Sequence, residues 1–338
     1  MIARLITTAA FLGVVLGVMA PAGARADAML KAFPYPHPVQ SFAFSSQMQD
    51  LTMAYMDVAP KGTPRNQTVV LLHGKNFCGA TWEGVIALLS EAGYRVVVPD
   101  QIGFCKSSKP EAYQYSFHQL AANTRALLNK LGVEKPIVMG HSMGGMLAFR
   151  YALMYGADTS GLVVVNPLGL EDWKAKGVPM ATLDQLFERE LKVTAESIKR
   201  YEQSTYYAGH WEPAYDRWVE MLAGMYKGAD GRSFAWTQAR TTDIIQSQPV
   251  VHEFGNIKVP TLIVLGLKDN TANGRERASP DVAKTLGNYP ELAKETHARI
   301  PGSKLITFAD LAHSPHIQAP EQFNPALLKG LAEMAPAK

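Results

Sequence analysis

Cysteine is scarce in this chain: 338 residues hold two, Cys78 and Cys105, so at most one internal bridge can form. Neither sign of charge dominates, since 33 Lys and Arg against 30 Asp and Glu leave a net charge of +3. No basic run is long enough to follow a phosphate backbone, which argues against nucleic acid as a partner. There is no H-E-x-x-H and no paired-histidine spacing, so nothing points to a metal centre. No internal repeat and no low-complexity tract is present. What the chain does have is apolar side chain, 47% of all residues, enough for the large core of a globular enzyme.

The first residues read as a targeting segment. Met1 to Arg4 give a short positive start, Leu5 to Ala20 an apolar stretch, and Ala24-Arg25-Ala26 the small-x-small pattern of a signal peptidase site. The stretch is shorter than the roughly 20 residues a membrane span needs. The expectation is export to the periplasm or beyond, with residues 1–26 as signal peptide and no stable membrane association after cleavage. Losing Arg4 and Arg25 takes the net charge from +3 to +1. In an oxidising compartment Cys78 and Cys105 either pair or stay as two buried thiols.

From residue 39 the pattern is regular. Ser41 to Ser45 and Leu51 to Val58 alternate like strands. Thr68–Leu72, Tyr94–Val98, Pro136–Met139 and Gly161–Val165 are continuous β-branched and leucine runs, as in strands covered on both faces. Helical patterns lie between them at Trp82–Ala92, Phe117–Leu131 (with Ser116 as N-cap) and Met143–Tyr155. This rhythm predicts an α/β fold, a mostly parallel sheet with helices on both faces. It stops over residues 169–255, which read as helical with no good strand. It resumes with Thr261–Leu265, a helix within Val282–Ala298, Lys304–Phe308 and a helix over Pro320–Met334. The chain therefore divides into a core of residues 27–168 and 256–338 and an inserted helical cap of residues 169–255.

Gly140-His141-Ser142-Met143-Gly144 fits G-x-S-x-G between a buried strand and a helix. A strand-to-helix turn that sharp holds the serine oxygen out at the sheet edge, beside backbone N–H groups at the helix start. Serine needs a base to become a nucleophile, and histidine titrates in the right range. A carboxylate must then hold the imidazole in one tautomer.

Four segments taken together resemble the α/β-hydrolase superfamily over nearly the whole mature chain. Besides the Ser142 motif they are His73-Gly74 after a strand, Pro99-Asp100-Gln101-Ile102-Gly103-Phe104-Cys105-Lys106-Ser107, Pro260 to Asp269, and Leu311-Ala312-His313-Ser314-Pro315-His316 through Phe323. The chain departs from the family pattern at Cys105 and Ala312, where glycine is usual. The resemblance implies Ser142 as nucleophile, His313 as base rather than the nearby His316, and Asp269 as acid, with Asp172 in reserve. It places the oxyanion hole at the backbone N–H groups of Lys75 and Met143. The Lys75 side chain is expected to reach substrate, solvent or a carboxylate. Relatives that open epoxides or carbon–halogen bonds are set aside, because they carry aspartate where Ser142 stands.

Four of the five tryptophans fall in the cap. Asn76, Trp173, Tyr207, Trp211, Trp236 and His316 are the expected pocket residues, suited to a small apolar or aromatic molecule. The expected activity is hydrolysis of a carboxylic ester with no cofactor. Lactone, amide or carbon–carbon hydrolysis on the same triad, or ligand binding without turnover, are the alternatives.

Overall fold

A computed structural model describes residues 29–227 and 230–334. The proposed signal peptide lies outside the described residues. Among the described residues there are eight strands: β1 Val39–Ser46, β2 Gln49–Val58, β3 Thr68–Leu72, β4 Arg95–Pro99, β5 Ile137–His141, β6 Gly161–Val165, β7 Thr261–Gly266 and β8 Lys304–Phe308. They form one sheet in the order β1-β2-β4-β3-β5-β6-β7-β8. β2 pairs antiparallel with both β1 and β4, and every pairing from β4 to β8 is parallel, with β3 between β4 and β5.

The parallel strands are apolar on both sides because both sides are covered. Val70, Leu72, Val138, Val164 and Ile263 face one core, filled by Leu120 and Leu127 of α2 (Phe117–Lys130) and Met146 and Leu147 of α3 (Met143–Tyr155). Val69, Leu71, Met139, Val163 and Val264 face the other, against Ile86 of α1 (Glu83–Glu91) and Phe323 and Leu327 near the C-terminus. Alternation along each strand sends neighbours to opposite cores, and each fully buried side chain contributes about 1.5–3 kcal/mol.

Between β6 and β7 there is no strand among the described residues. This segment carries α4 (Leu183–Glu190), α5 (Ala195–Tyr206), α6 (Asp216–Tyr226) and α7 (Gly231–Ser247). Thr182 and Thr194 start α4 and α5 with reciprocal capping boxes. After β7 the helix expected within Val282–Ala298 is two helices, α8 (Pro280–Thr285) and α9 (Tyr289–Arg299). Gly287 breaks them with φ +63°, where a Cβ would lie 2.7 Å from the Asn270 carbonyl oxygen. α10 (Pro315–Gln318) and α11 (Pro320–Met334) close the chain. Among the described residues no helix is long and apolar enough to cross a membrane.

Glu202 on α5 is fully buried, and neither carboxylate oxygen has a hydrogen-bond partner among the described residues. Burial pushes its carboxyl up to about 8, because ionising there without a partner costs far more than in water. Around pH 4 the folded and unfolded chains both hold the proton. As pH rises towards 8 the unfolded chain releases it and the folded chain does not, so stability falls across that window. Glu202→Gln is expected to melt with the wild type at pH 4 and about 3 °C or more above it at pH 8. A difference in Tm that does not change with pH would show that Glu202 is not held protonated.

Candidate active site

β5 ends at His141, and α3 begins one residue after Ser142. Ser142 has φ +58° and ψ −122°, a strained conformation costing about 1–3 kcal/mol that the surrounding glycines make possible. A Cβ on Gly140 would lie 2.0 Å from the Gly144 carbonyl oxygen, and one on Gly144 would lie 2.1 Å from that of Leu72. The turn therefore closes only with glycine at both places, and it delivers Ser142 Oγ to the C-terminal edge of the sheet.

His313 follows β8 and Asp269 follows β7, so parallel neighbours bring both to the same edge. His313 Nε2 lies 2.8 Å from Ser142 Oγ, and Nδ1 lies 2.6 Å from Asp269 Oδ2. In this geometry the serine hydroxyl donates to Nε2 and the Nδ1–H donates to the carboxylate. All three residues are buried. Asp269 Oδ2 also accepts from Asn166 Nδ2 at 2.9 Å, while Oδ1 accepts the Thr271 N–H at 2.8 Å and its hydroxyl at 2.6 Å. The reserve acid Asp172 is elsewhere, 2.9 Å from His252 Nε2.

The N–H groups of Lys75 and Met143 carry no protein acceptor among the described residues. Met143 opens α3, where the helix dipole favours negative charge. Gly74 brings the Lys75 backbone in, since a Cβ there would stand 3.0 Å from Ser142 Cβ. The Lys75 side chain takes the carboxylate option: Nζ lies 2.9 Å from Glu190 Oε1 at the end of α4.

Three neighbouring histidines stay neutral. Burial, then His316 and His313, hold the His141 imidazole well below its ordinary range, and its Nε2–H donates to the His313 carbonyl oxygen at 2.8 Å. Burial, then His313, lowers His316 to about 3. His73 is likewise lowered, chiefly by burial; it accepts the Gln101 N–H at Nε2. No like charge therefore stands on these rings beside His313.

A cavity of about 330 Å³ opens on Ser142 and His313. Its lining includes apolar residues, Leu168 from the core and Leu186, Val193, Ile198, Leu222 and Ile245 from the helical segment, and polar ones, among them Lys75, Asn76, Glu190, Tyr226 and Thr271. Of the expected pocket residues only Asn76 lies in this cavity, and its Nδ2 donates to Tyr206 Oη at 2.8 Å. Five expectations are corrected. Trp173 turns its N–H to Glu171 at 3.0 Å. Tyr207 stacks on Tyr215 at 3.8 Å between ring centres, and Trp211 packs edge-on against both. Trp236 packs on Phe187 and under the Arg240 guanidinium. His316 stacks on Trp82 at 4.7 Å, behind His141. The tryptophans and Tyr207 pack the insertion, while Tyr201, Tyr206 and Tyr226 line the cavity together with aliphatic side chains.

Sequence reading missed Asn166, Thr271 and Glu190; Tyr206 and Tyr226 are aromatics of the cap segment that line the cavity. The ring of Tyr206 lies against His313, 4.9 Å between centres at 27°. Thr271 stands two residues from Asp269, a spacing that suits a side-chain turn and could have been noticed. The others reach the site only through tertiary packing.

Cys78 and Cys105 are bridged. Asp100 joins the same corner by accepting the Gly79 and Lys106 N–H groups. The bridge closes 27 residues between the loop after Lys75 and the loop after β4, worth about 2–4 kcal/mol by constraining the unfolded chain. The Cys78→Ala, Cys105→Ala double variant is expected to melt about 5 °C or more lower. An unchanged Tm in non-reducing buffer would mean the bridge adds nothing.

Residues 67–320 match the model of the α/β hydrolase fold family. A crystal structure of a probable hydrolytic enzyme from Pseudomonas aeruginosa PAO1 is 55% identical, covers 90% of this chain and 97% of its own, and superposes with a TM-score of 0.89. A putative non-heme chloroperoxidase from Synechocystis sp. is 26% identical over 287 residues, 82% of this chain and 96% of that protein. Lipase 1 of Psychrobacter immobilis is 24% identical over 280 residues, 81% of this chain and 80% of the lipase. The family match takes in every strand from β3 to β8, and this chain belongs to the α/β hydrolase fold family.

Proposed function

We propose that the protein hydrolyses a carboxylic ester of a small, largely apolar molecule through an acyl-serine intermediate. The observation that carries this reading is the unbroken relay from Asp269 through His313 to Ser142, opening into a cavity beside two unpaired N–H groups. His313 Nε2 takes the hydroxyl proton as Ser142 Oγ attacks the ester carbon. Asp269 steadies the imidazolium that forms. The carbonyl oxygen, now negative, accepts the Met143 and Lys75 N–H groups, each typically worth ~3 kcal/mol at the transition state. His313 then returns the proton to the departing alcohol, and water repeats the sequence on the acyl-serine. The probable hydrolytic enzyme and the lipase among the similar proteins support hydrolysis as the reaction class.

A cavity of about 330 Å³ is at the small end for ligand sites, so short acyl groups are favoured. The test is turnover of p-nitrophenyl esters of graded acyl length, together with fluorophosphonate labelling of Ser142. Hydrolysis peaking at short chains and a label on Ser142 are expected. Absence of both turnover and label would overturn the ester reading.

We also propose export, with cleavage after Ala26. The Cys78–Cys105 bridge supports an oxidising compartment. A mature N-terminus at Asp27 by mass spectrometry is the expected result, and an intact Met1 in the secreted fraction would contradict it.

A further inference from the structure

An ion pair stands in the cavity wall where an apolar contact would hold the insertion equally well. Lys75 and Glu190 are 17% and 14% exposed at their side chains, with Nζ 2.9 Å from Oε1. Withdrawing two charges from water costs several kcal/mol each, and hydrophobic replacements of such pairs are often as stable. Stability is therefore a poor reason for the pair, and its position suggests another. The Lys75 backbone N–H faces the reacting carbonyl, so the same residue's ammonium sits one side-chain length further along the cavity.

The hydrogen bonds are unevenly used. Both Glu190 oxygens are taken, Oε1 by Lys75 and Oε2 by the Tyr226 hydroxyl at 2.5 Å. Burial and the Glu190 carboxylate push the Tyr226 phenol up, so it remains a donor. The Lys75 ammonium has three protons and Glu190 is its only partner among the described residues. The Lys75 ammonium therefore has donors to spare beside a carboxylate that is already engaged at both oxygens. Glu190 cancels the ammonium charge, and a second carboxylate brought to Nζ would meet Glu190 at close range in a poorly solvated space. Since His313 must protonate the leaving oxygen, the alcohol lies on its side and Lys75 faces the part that stays on Ser142.

We propose that Lys75 and Glu190 select the acyl group: the acid part of the substrate carries an uncharged oxygen acceptor, a ketone or hydroxyl oxygen, that takes a hydrogen bond from Lys75 Nζ. The inference rests on the ester reading and narrows it.

The test compares kcat/KM for p-nitrophenyl pentanoate, 4-oxopentanoate and 4-carboxybutanoate, three chains of similar length that are apolar, neutral-polar and anionic. Wild type is expected to prefer 4-oxopentanoate over pentanoate by about tenfold or more, the size of a hydrogen bond to a charged donor. Lys75→Met should bring that ratio to about one whatever happens to the absolute rate. Glu190→Gln keeps the backbone donors and unmasks the ammonium. It should raise 4-carboxybutanoate relative to 4-oxopentanoate by about tenfold. If Lys75→Met does not fold, the Glu190→Gln ratio decides. A wild-type ratio near one, or variants that slow all three esters equally, would leave the pair as a fastening of the insertion and overturn the proposal. No turnover of any of the three by wild type would instead be a failure of the ester reading itself, and this inference would fall with it.

Discussion

Ser142→Ala is expected to lower kcat on p-nitrophenyl butyrate by about 10⁶-fold, leaving a residual rate above that of the uncatalysed reaction. Among the described residues its hydroxyl is the one held against His313 Nε2, at 2.8 Å, so its loss removes the covalent route and not one contribution among several. What survives is binding in the cavity and the two oxyanion donors, which do not depend on the hydroxyl. The fold should survive too: alanine fits the same space, and the φ of +58° is tolerated or strained for it much as for serine. Full-length protein with an unchanged Tm, no fluorophosphonate label and no measurable burst is the expected combination. A variant retaining a tenth of the wild-type rate would move the nucleophile elsewhere and undo the mechanism above.

The parts of the fold that sequence reveals are those where burial is uniform. β3, β5, β6 and β7 are enclosed on both faces, so their residues have no polar side to show and read as unbroken apolar runs. The Ser142 turn is legible for a related reason: the backbone can pass there only with glycine at fixed offsets. The helix break at Gly287 is less visible. It is set by the approach of the loop carrying Asp269, whose residue Asn270 crowds the glycine, and nothing local announces that neighbour.

The cavity was the least legible part. Trp173, Trp211 and Trp236 are recognisable as cap residues, but a sequence does not say which way a ring faces. Each has a packing or hydrogen-bond partner that turns it from Ser142. Glu190 is 115 residues from Lys75 and meets it only because α4 docks over the sheet edge. An acidic residue at the end of a helix is unfavourable with the local dipole, so its placement becomes intelligible only once the ammonium and the Tyr226 hydroxyl are seen around it.

Asp269→Asn carries the second large effect, a fall in kcat of about 10⁴-fold with Tm little changed. The reason lies in the donors around the carboxylate. Oδ2 receives His313 Nδ1–H and Asn166 Nδ2–H, and Oδ1 receives the Thr271 N–H and hydroxyl. All are hydrogen donors, so an amide NH₂ put on either side meets at least one proton it cannot accept. Facing Thr271, it opposes a fixed backbone N–H. Facing His313, it loses the Asn166 Nδ2–H bond, which leaves that amide its bond to the Gly266 carbonyl oxygen, and is accommodated by the base if the imidazole moves its proton from Nδ1 to Nε2. That tautomer then points an N–H at Ser142 Oγ and cannot take the serine proton. The second arrangement is favoured because a histidine proton can relocate and a backbone proton cannot. The loss should therefore appear in kcat, with KM nearly unchanged, since the cavity wall is untouched. A loss of less than tenfold would mean that another carboxylate orients the base. Asp172 is the alternative to examine, and its own substitution by asparagine should leave activity within about twofold, because it is engaged with His252 and is not in contact with the relay.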